Sequence, residues 1–104
     1  MEKIKEQIRK FNKERDWEQF HTPANLAKSI AIEAGELLEC FQWNDQYDQQ
    51  EVCEELADVM NYCIVMADAL DVNLEQIILE KLEKNKEKYP VDKAKGKSDK
   101  YTKL

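Results

Sequence analysis

An all-α fold is what this sequence predicts, and three observations carry the prediction. Only two Gly and two Pro occur in 104 residues, of which 37% are charged and 42% hydrophobic, a balance suited to a compact helical domain rather than a sheet or a disordered chain. Apolar residues recur at three- and four-residue spacing in four successive stretches. The last three of those stretches open on Thr22, Asp48 and Asn73, side chains that cap helix N-termini. A chain of this length forms one domain with a modest core, so self-association is expected to help it.

The first stretch, residues 2 to 15, places Ile4, Ile8 and Phe11 on one helical face. Arg15 to His21 follows as a loop of aromatic and polar residues, the composition of a binding loop. Thr22 and Pro23 then supply an N-cap and a first-turn proline for a second helix reaching about Phe41. Asn44 to Asp48 is turn material, and Asp48 with Glu51 resembles a capping pair for a third helix extending to about Leu70. From Val59 to Leu70 apolar residues point nearly all round, as in a helix held between others or in a subunit interface. Asn73 and Gln76 open a fourth helix, with Leu74, Ile77, Ile78 and Leu82 in one stripe and closure before Pro90. The expected architecture is an oligomeric four-helix bundle over residues 1–90, with residues 91–104 as a Lys-rich C-terminal tail.

Charge is distributed unevenly. Residues 29 to 80 hold 13 Asp and Glu and no Lys or Arg, while all 16 basic residues lie outside that interval. A carboxylate drawn into a core neutralises, finds a cation or coordinates a metal, and here no basic neighbour in sequence offers itself. The pI near 4.9 argues against a partner with a phosphate backbone. No apolar run is long enough for a bilayer, and the charged start MEKIKEQIRK does not read as a signal peptide, so a cytoplasmic location is expected. Cys40, Cys53 and Cys63 are widely spaced in helical patterns, the usage of reduced thiols rather than of a zinc site.

Eight acidic pairs stand at i, i+3, but helical projection at about 100° per residue singles out two. Glu33 falls inside the apolar arc of the second helix with Glu36 about 60° further round, whereas Glu39 projects to the polar side. On the third helix Glu55 lies between Tyr62 and Met66, with Asp58 between Val65 and Ala69. Two helices thus each turn an acid pair toward the core, and antiparallel packing would gather an all-oxygen site for a hard cation. Such ligands suit Mg²⁺ completed by substrate phosphates; no EF-hand loop exists for Ca²⁺, and the single His21 supplies no Glu-x-x-His pair for a di-iron bundle.

Glu33-x-x-Glu36 followed after eighteen residues by Glu55-x-x-Asp58, together with RDWEQFHTPANL, EAGELLECFQW, EELADVMNY, KLEKNKEKYP and KYTKL, resembles the all-α nucleoside triphosphate pyrophosphohydrolases of the MazG-like superfamily, in its dCTP pyrophosphatase branch. The resemblance implies Mg²⁺-dependent hydrolysis of a (deoxy)nucleoside triphosphate, dCTP or a related dNTP, between its α and β phosphates. By position it assigns Glu33, Glu36, Glu55 and Asp58 to metal, and Trp17, Phe20, His21, Trp43 and Tyr62 to the nucleoside. Lys81, Asn85 and Lys88, spaced along one side of the fourth helix, fall in the family's phosphate-contacting region, Lys88 standing where Arg is common. A dimer-based homotetramer with sites built from two subunits is also implied. Two other readings stand beside the enzyme: a non-catalytic acidic helical module docking on a basic partner, and a nucleotide sensor that has lost hydrolysis.

Overall fold

A computed structural model describes residues 1–43 and 45–104; Asn44, read above as turn material, lies outside the described residues. All regular structure among the described residues is helical, as the composition predicts. The long helices are α1 (Glu2–Glu14), α2 (Pro23–Glu39), α3 (Gln49–Ala69) and α4 (Leu74–Lys88), with a short α5 (Val91–Ala94) and 3-10 turns at Glu18–Phe20 and Tyr101–Lys103. The chain divides into two compact units, Met1–Val72 and Asn73–Leu104.

Within the first unit four helix boundaries have a local cause. Thr22 Oγ1 accepts the Asn25 amide at 3.2 Å to start α2, and Asp48 Oδ1 accepts the Gln50 and Glu51 amides at 2.9 and 3.3 Å to start α3. Helices α1 and α3 both end in a Schellman turn. Asp16 and Asp71 take the left-handed conformation at φ 55° and 53°, while Trp17 N–H bonds Asn12 O and Val72 N–H bonds Ala67 O, each at 3.0 Å. The first of these reversals swings Trp17 back onto Phe11, ring centroids 5.6 Å apart and edge-on.

The hairpin of α2 and α3 is the body of this unit, and α1 packs on α3. Its register is antiparallel: the acids that bear on Cys40 are Asp48, Glu51 and Glu55, Glu33 meets Glu55 and Asp58, and Ser29 shares a cavity with Tyr62. Leu26, Ile64, Val65 and Ala67 form the buried core. The inner side of α1 departs from its apolar stripe. Lys5 and Asn12 are buried, whereas Ile4 and Phe11 remain about half exposed around an open hollow with Gln7, Ile8 and Asn61. Lys5 buries its aliphatic stem and holds its ammonium 3.5 Å from Glu2, so a long charged side chain does the covering that periodicity assigned to apolar ones.

In the second unit Asn73 Oδ1 accepts the Gln76 amide at 3.0 Å and starts α4. Residues 91–104 carry α5 and the last 3-10 turn, where Tyr101 stacks edge-on against Tyr89 with centroids 6.0 Å apart and lies under Lys88 Nζ at 4.9 Å. Ile77, Ile78 and Leu82 remain 41 to 53% exposed. Among the described residues no helix is long and apolar enough to cross a membrane.

Candidate active site

The antiparallel hairpin sets the two acid pairs opposite one another. One carboxylate oxygen each from Glu33, Glu55 and Asp58 falls within 4.8 Å of the others, and the Glu36 carboxyl bears on both Glu33 and Glu55. None of the four is ion-paired to a Lys or Arg among the described residues. Glu33 and Glu55 are half-buried, and each holds one carboxylate oxygen, Oε2, fully buried with no hydrogen-bond partner. Buried acceptors without donors are unfavourable, and two of them side by side in an acidic cluster favour a proton or a shared cation. Desolvation, then the hydrogen bond and charge of Glu36, then Asp58 and Glu55, push Glu33 up to about 7. Glu55 is raised by desolvation and by Glu36 in the same way. A divalent cation among these oxygens would favour the ionised carboxylates against both burial and mutual repulsion, so the donor set fits a hard metal ion.

One of the thirteen central acids does find a basic partner. Arg9, on α1, donates Nε and a terminal nitrogen to Asp68 on α3, both at 2.8 Å, which holds the Asp68 carboxyl below the usual range. The metal-type cluster is thus set apart from Asp68 by what the neighbouring helix lacks, since α2 offers no such arginine.

One turn from the acids stands an aromatic cavity of about 330 Å³, lined by Trp17, Phe20, His21, Asn25, Ser29 and Tyr62. Ser29 and Glu33 are i, i+4 on α2, and Tyr62 and Asp58 are i, i+4 on α3, so the same two helix faces carry both features. Asn25, absent from the sequence-based candidates, ties the loop to α2: its Nδ2 donates to Phe20 O at 3.0 Å while its own amide is capped by Thr22. The sequence TPAN carried that signal, because an Asn three residues after an N-cap stands at the mouth of whatever loop precedes the helix. Trp43 is not brought to this cavity and is 86% exposed. Lys81 and Asn85 belong to the second unit, in a hollow with Ile77, Ile78 and Leu82, and Lys88 caps Tyr101 there.

The MazG-like family profile matches residues 28–104. The chain belongs to the MazG-like family. Curated relatives align along its whole length: it is 37% identical to dCTP pyrophosphatase 1 of Mus musculus, covering 67% of that protein, and 37% identical to dCTP pyrophosphatase 1 of Homo sapiens, again covering 67%. Among solved structures, a pyrophosphatase from Archaeoglobus fulgidus superposes with a TM-score of 0.79 at 41% identity, over 86% of this chain and 92% of that one. The MazG-like assignment agrees with the all-helical architecture and with the acid-bearing hairpin that organises it.

Proposed function

We propose that this chain, a MazG-like nucleoside triphosphate pyrophosphohydrolase, cleaves dCTP or a related deoxynucleoside triphosphate between its α and β phosphates, with Mg²⁺ held by Glu33, Glu36, Glu55 and Asp58. The reading rests on one observation above all: carboxylates of α2 and α3 converge within 4.8 Å, with two orphaned buried oxygens and no Lys or Arg paired to them among the described residues. When bound, Mg²⁺ neutralises phosphate charge, polarises the phosphoryl group and lowers the pKa of a coordinated water.

The chain's own groups supply the remainder. Trp17, Phe20 and Tyr62 offer ring faces on which a base stacks, worth about 1–3 kcal/mol per base, and His21 lies at the edge of the same cavity. Trp43, with its ring in solvent, is the remaining proposed nucleoside contact. Lys81, Asn85 and Lys88 are proposed phosphate contacts on the strength of the family pattern. The half-exposed Leu56 and Met60 on α3 support assembly of the first unit into a homo-oligomer, and light scattering showing only monomer would overturn that part. A cytoplasmic location, where nucleotide pools and Mg²⁺ meet, completes the reading.

Incubation with a panel of dNTPs and Mg²⁺, followed by product analysis, tests it. The expected products are the monophosphate and pyrophosphate, lost in Asp58→Asn with helicity retained. Diphosphate plus orthophosphate as products, or no turnover of any nucleotide, overturns it.

A further inference from the structure

A second cavity of about 430 Å³ opens between α1, the 3-10 turn and the C-terminal end of α3, and nothing in the acid cluster or the aromatic cavity accounts for it. It is of small-ligand size. Ile8, Val65 and Ala69 give it an apolar wall, and the Arg9–Asp68 pair, Glu18, His21 and Asp71 surround them. His21 lines this cavity and the aromatic one alike, so the two adjoin.

Charge decides which end of a nucleotide enters. Arg9 is already committed to Asp68 by two hydrogen bonds of 2.8 Å, which leaves Glu18 and Asp71 as the uncompensated charges of the lining. A phosphate is repelled there, and a neutral polar heterocycle is not. The helix order agrees. Glu55, Asp58, Tyr62, Val65 and Ala69 follow one another at three- and four-residue steps along α3, a single stripe leading from the carboxylates through the aromatic ring to this cavity. Asp58 to Val65 spans about 10 Å at 1.5 Å per residue, the scale of a nucleotide from its phosphate to the far edge of its base.

Among the polar residues that line the cavity, Asn12 is the buried one without a side-chain partner. The residue is 94% buried, being 6% exposed, yet its carboxamide makes no hydrogen bond among the described residues, and its polar atoms are not among those wholly shut from solvent. Asn12 is at the same time one of the residues that line this cavity. A buried primary amide carries a donor and an acceptor side by side, the pattern that matches the hydrogen-bonding edge of a base, and leaving it unmet is unfavourable.

We propose that Asn12 is a specificity-determining residue of this enzyme, contacting the hydrogen-bonding edge of the substrate base in the cavity beyond the aromatic one. The inference rests on the hydrolase reading above. A site that hydrogen-bonds a polar group discriminates strongly against an analogue lacking that group, because its own amide is then left unpaired.

The experiment compares the wild type and Asn12→Ala, with Mg²⁺, on the four common dNTPs and on an analogue of the preferred dNTP whose base lacks its exocyclic group. In the wild type the analogue is expected to raise KM by about 10- to 100-fold with kcat within about 2-fold, the loss of one buried hydrogen bond. Asn12→Ala is expected to raise KM for the preferred dNTP by a similar factor and to treat it and the analogue alike, which a merely structural role would not produce. Asn12→Ser, smaller but still polar, serves if the alanine variant does not fold, and is expected to retain part of the discrimination. A wild type that turns over dNTPs while the variant keeps the full analogue penalty overturns the assignment of Asn12 alone. Absence of wild-type turnover overturns the hydrolase reading and this inference with it.

Discussion

Replacing Glu33 by Gln is expected to make the metal-free protein more stable while abolishing its metal response. The wild-type carboxylate keeps a buried Oε2 without a donor and sits within 4.8 Å of oxygens from Glu55 and Asp58. A neutral amide removes one negative charge and brings N–H donors to a place where only acceptors meet. One such hydrogen bond contributes about 1 kcal/mol net, and solvent at the half-buried site keeps the relieved repulsion to the same order or below. In a domain of this size about 1 kcal/mol moves Tm by about 4–8 °C, so Glu33→Gln should melt higher than the wild type by that amount in chelator. Adding Mg²⁺ reverses the order, because ligand at 100 times Kd stabilises the wild type by about 2.7 kcal/mol and the variant far less. Hydrolysis should fall by at least about 100-fold in kcat/KM, about 2.7 kcal/mol of transition-state stabilisation. Thermal scans in chelator and in Mg²⁺, beside a pyrophosphate-release assay, read all three effects. A variant that melts lower without metal, keeps its Mg²⁺ shift and retains turnover would refute the assignment of Glu33 to a metal-holding cluster.

Leu26, 1% exposed in the first turn of α2, is a core residue whose replacement in Leu26→Ala is expected to cost about 2–5 kcal/mol of stability, seen as a lower urea midpoint with the helical spectrum retained below it. The metal-free protein should respond to pH in two windows. The raised folded pKa of Glu33 gives a contribution complete below the ordinary Glu range and lost as pH rises through about 7, whereas the lowered pKa of Asp68 gives one present above the ordinary Asp range and lost as pH falls into acid. Melting curves from pH 3 to 8 should therefore pass through a maximum, with Mg²⁺ flattening the upper limb only. Asn25→Ala frees Phe20 O from its 3.0 Å hydrogen bond and should raise KM for the nucleotide by several-fold with kcat little changed, measured by steady-state kinetics.

What the sequence made legible were the features set by near neighbours. Thr22, Asp48 and Asn73 cap the helices they open, because a cap is decided within three residues, and α2, α3 and α4 run close to their expected bounds. The inward turn of Glu33 and Glu55 was legible for a similar reason, since helical phase follows from spacing alone. Contacts between distant segments were not. Asp68 looked like one more unpaired central acid, and its pairing with Arg9 depends on how α1 lies on α3 across 59 residues. Asn12 carries no sequence signal beside Phe11, because apolar periodicity ranks residues by hydrophobicity and α1 buries Lys5 and Asn12 instead. Trp43 gave no sign of its exposure, since an aromatic next to a turn reads equally as core or as surface. The Tyr101 ring under Lys88 was hidden in a Lys-rich stretch with no period to reveal it.

The unbroken run of α3, 21 residues from Gln49 to Ala69, acts as a ruler whose marks are acids, ring and polar cavity. Because a helix advances about 100° per residue, deleting or inserting a single position between Asp58 and Tyr62 would swing every mark beyond it out of line with the carboxylates, whatever residue were chosen. Length along this helix therefore changes only in steps close to whole turns. On the base contact proposed for Asn12, adjustment to a different base would fall instead to the segments that abut the ruler from the side, α1 and the loop after it, where substitutions alter what is read without shifting the scale.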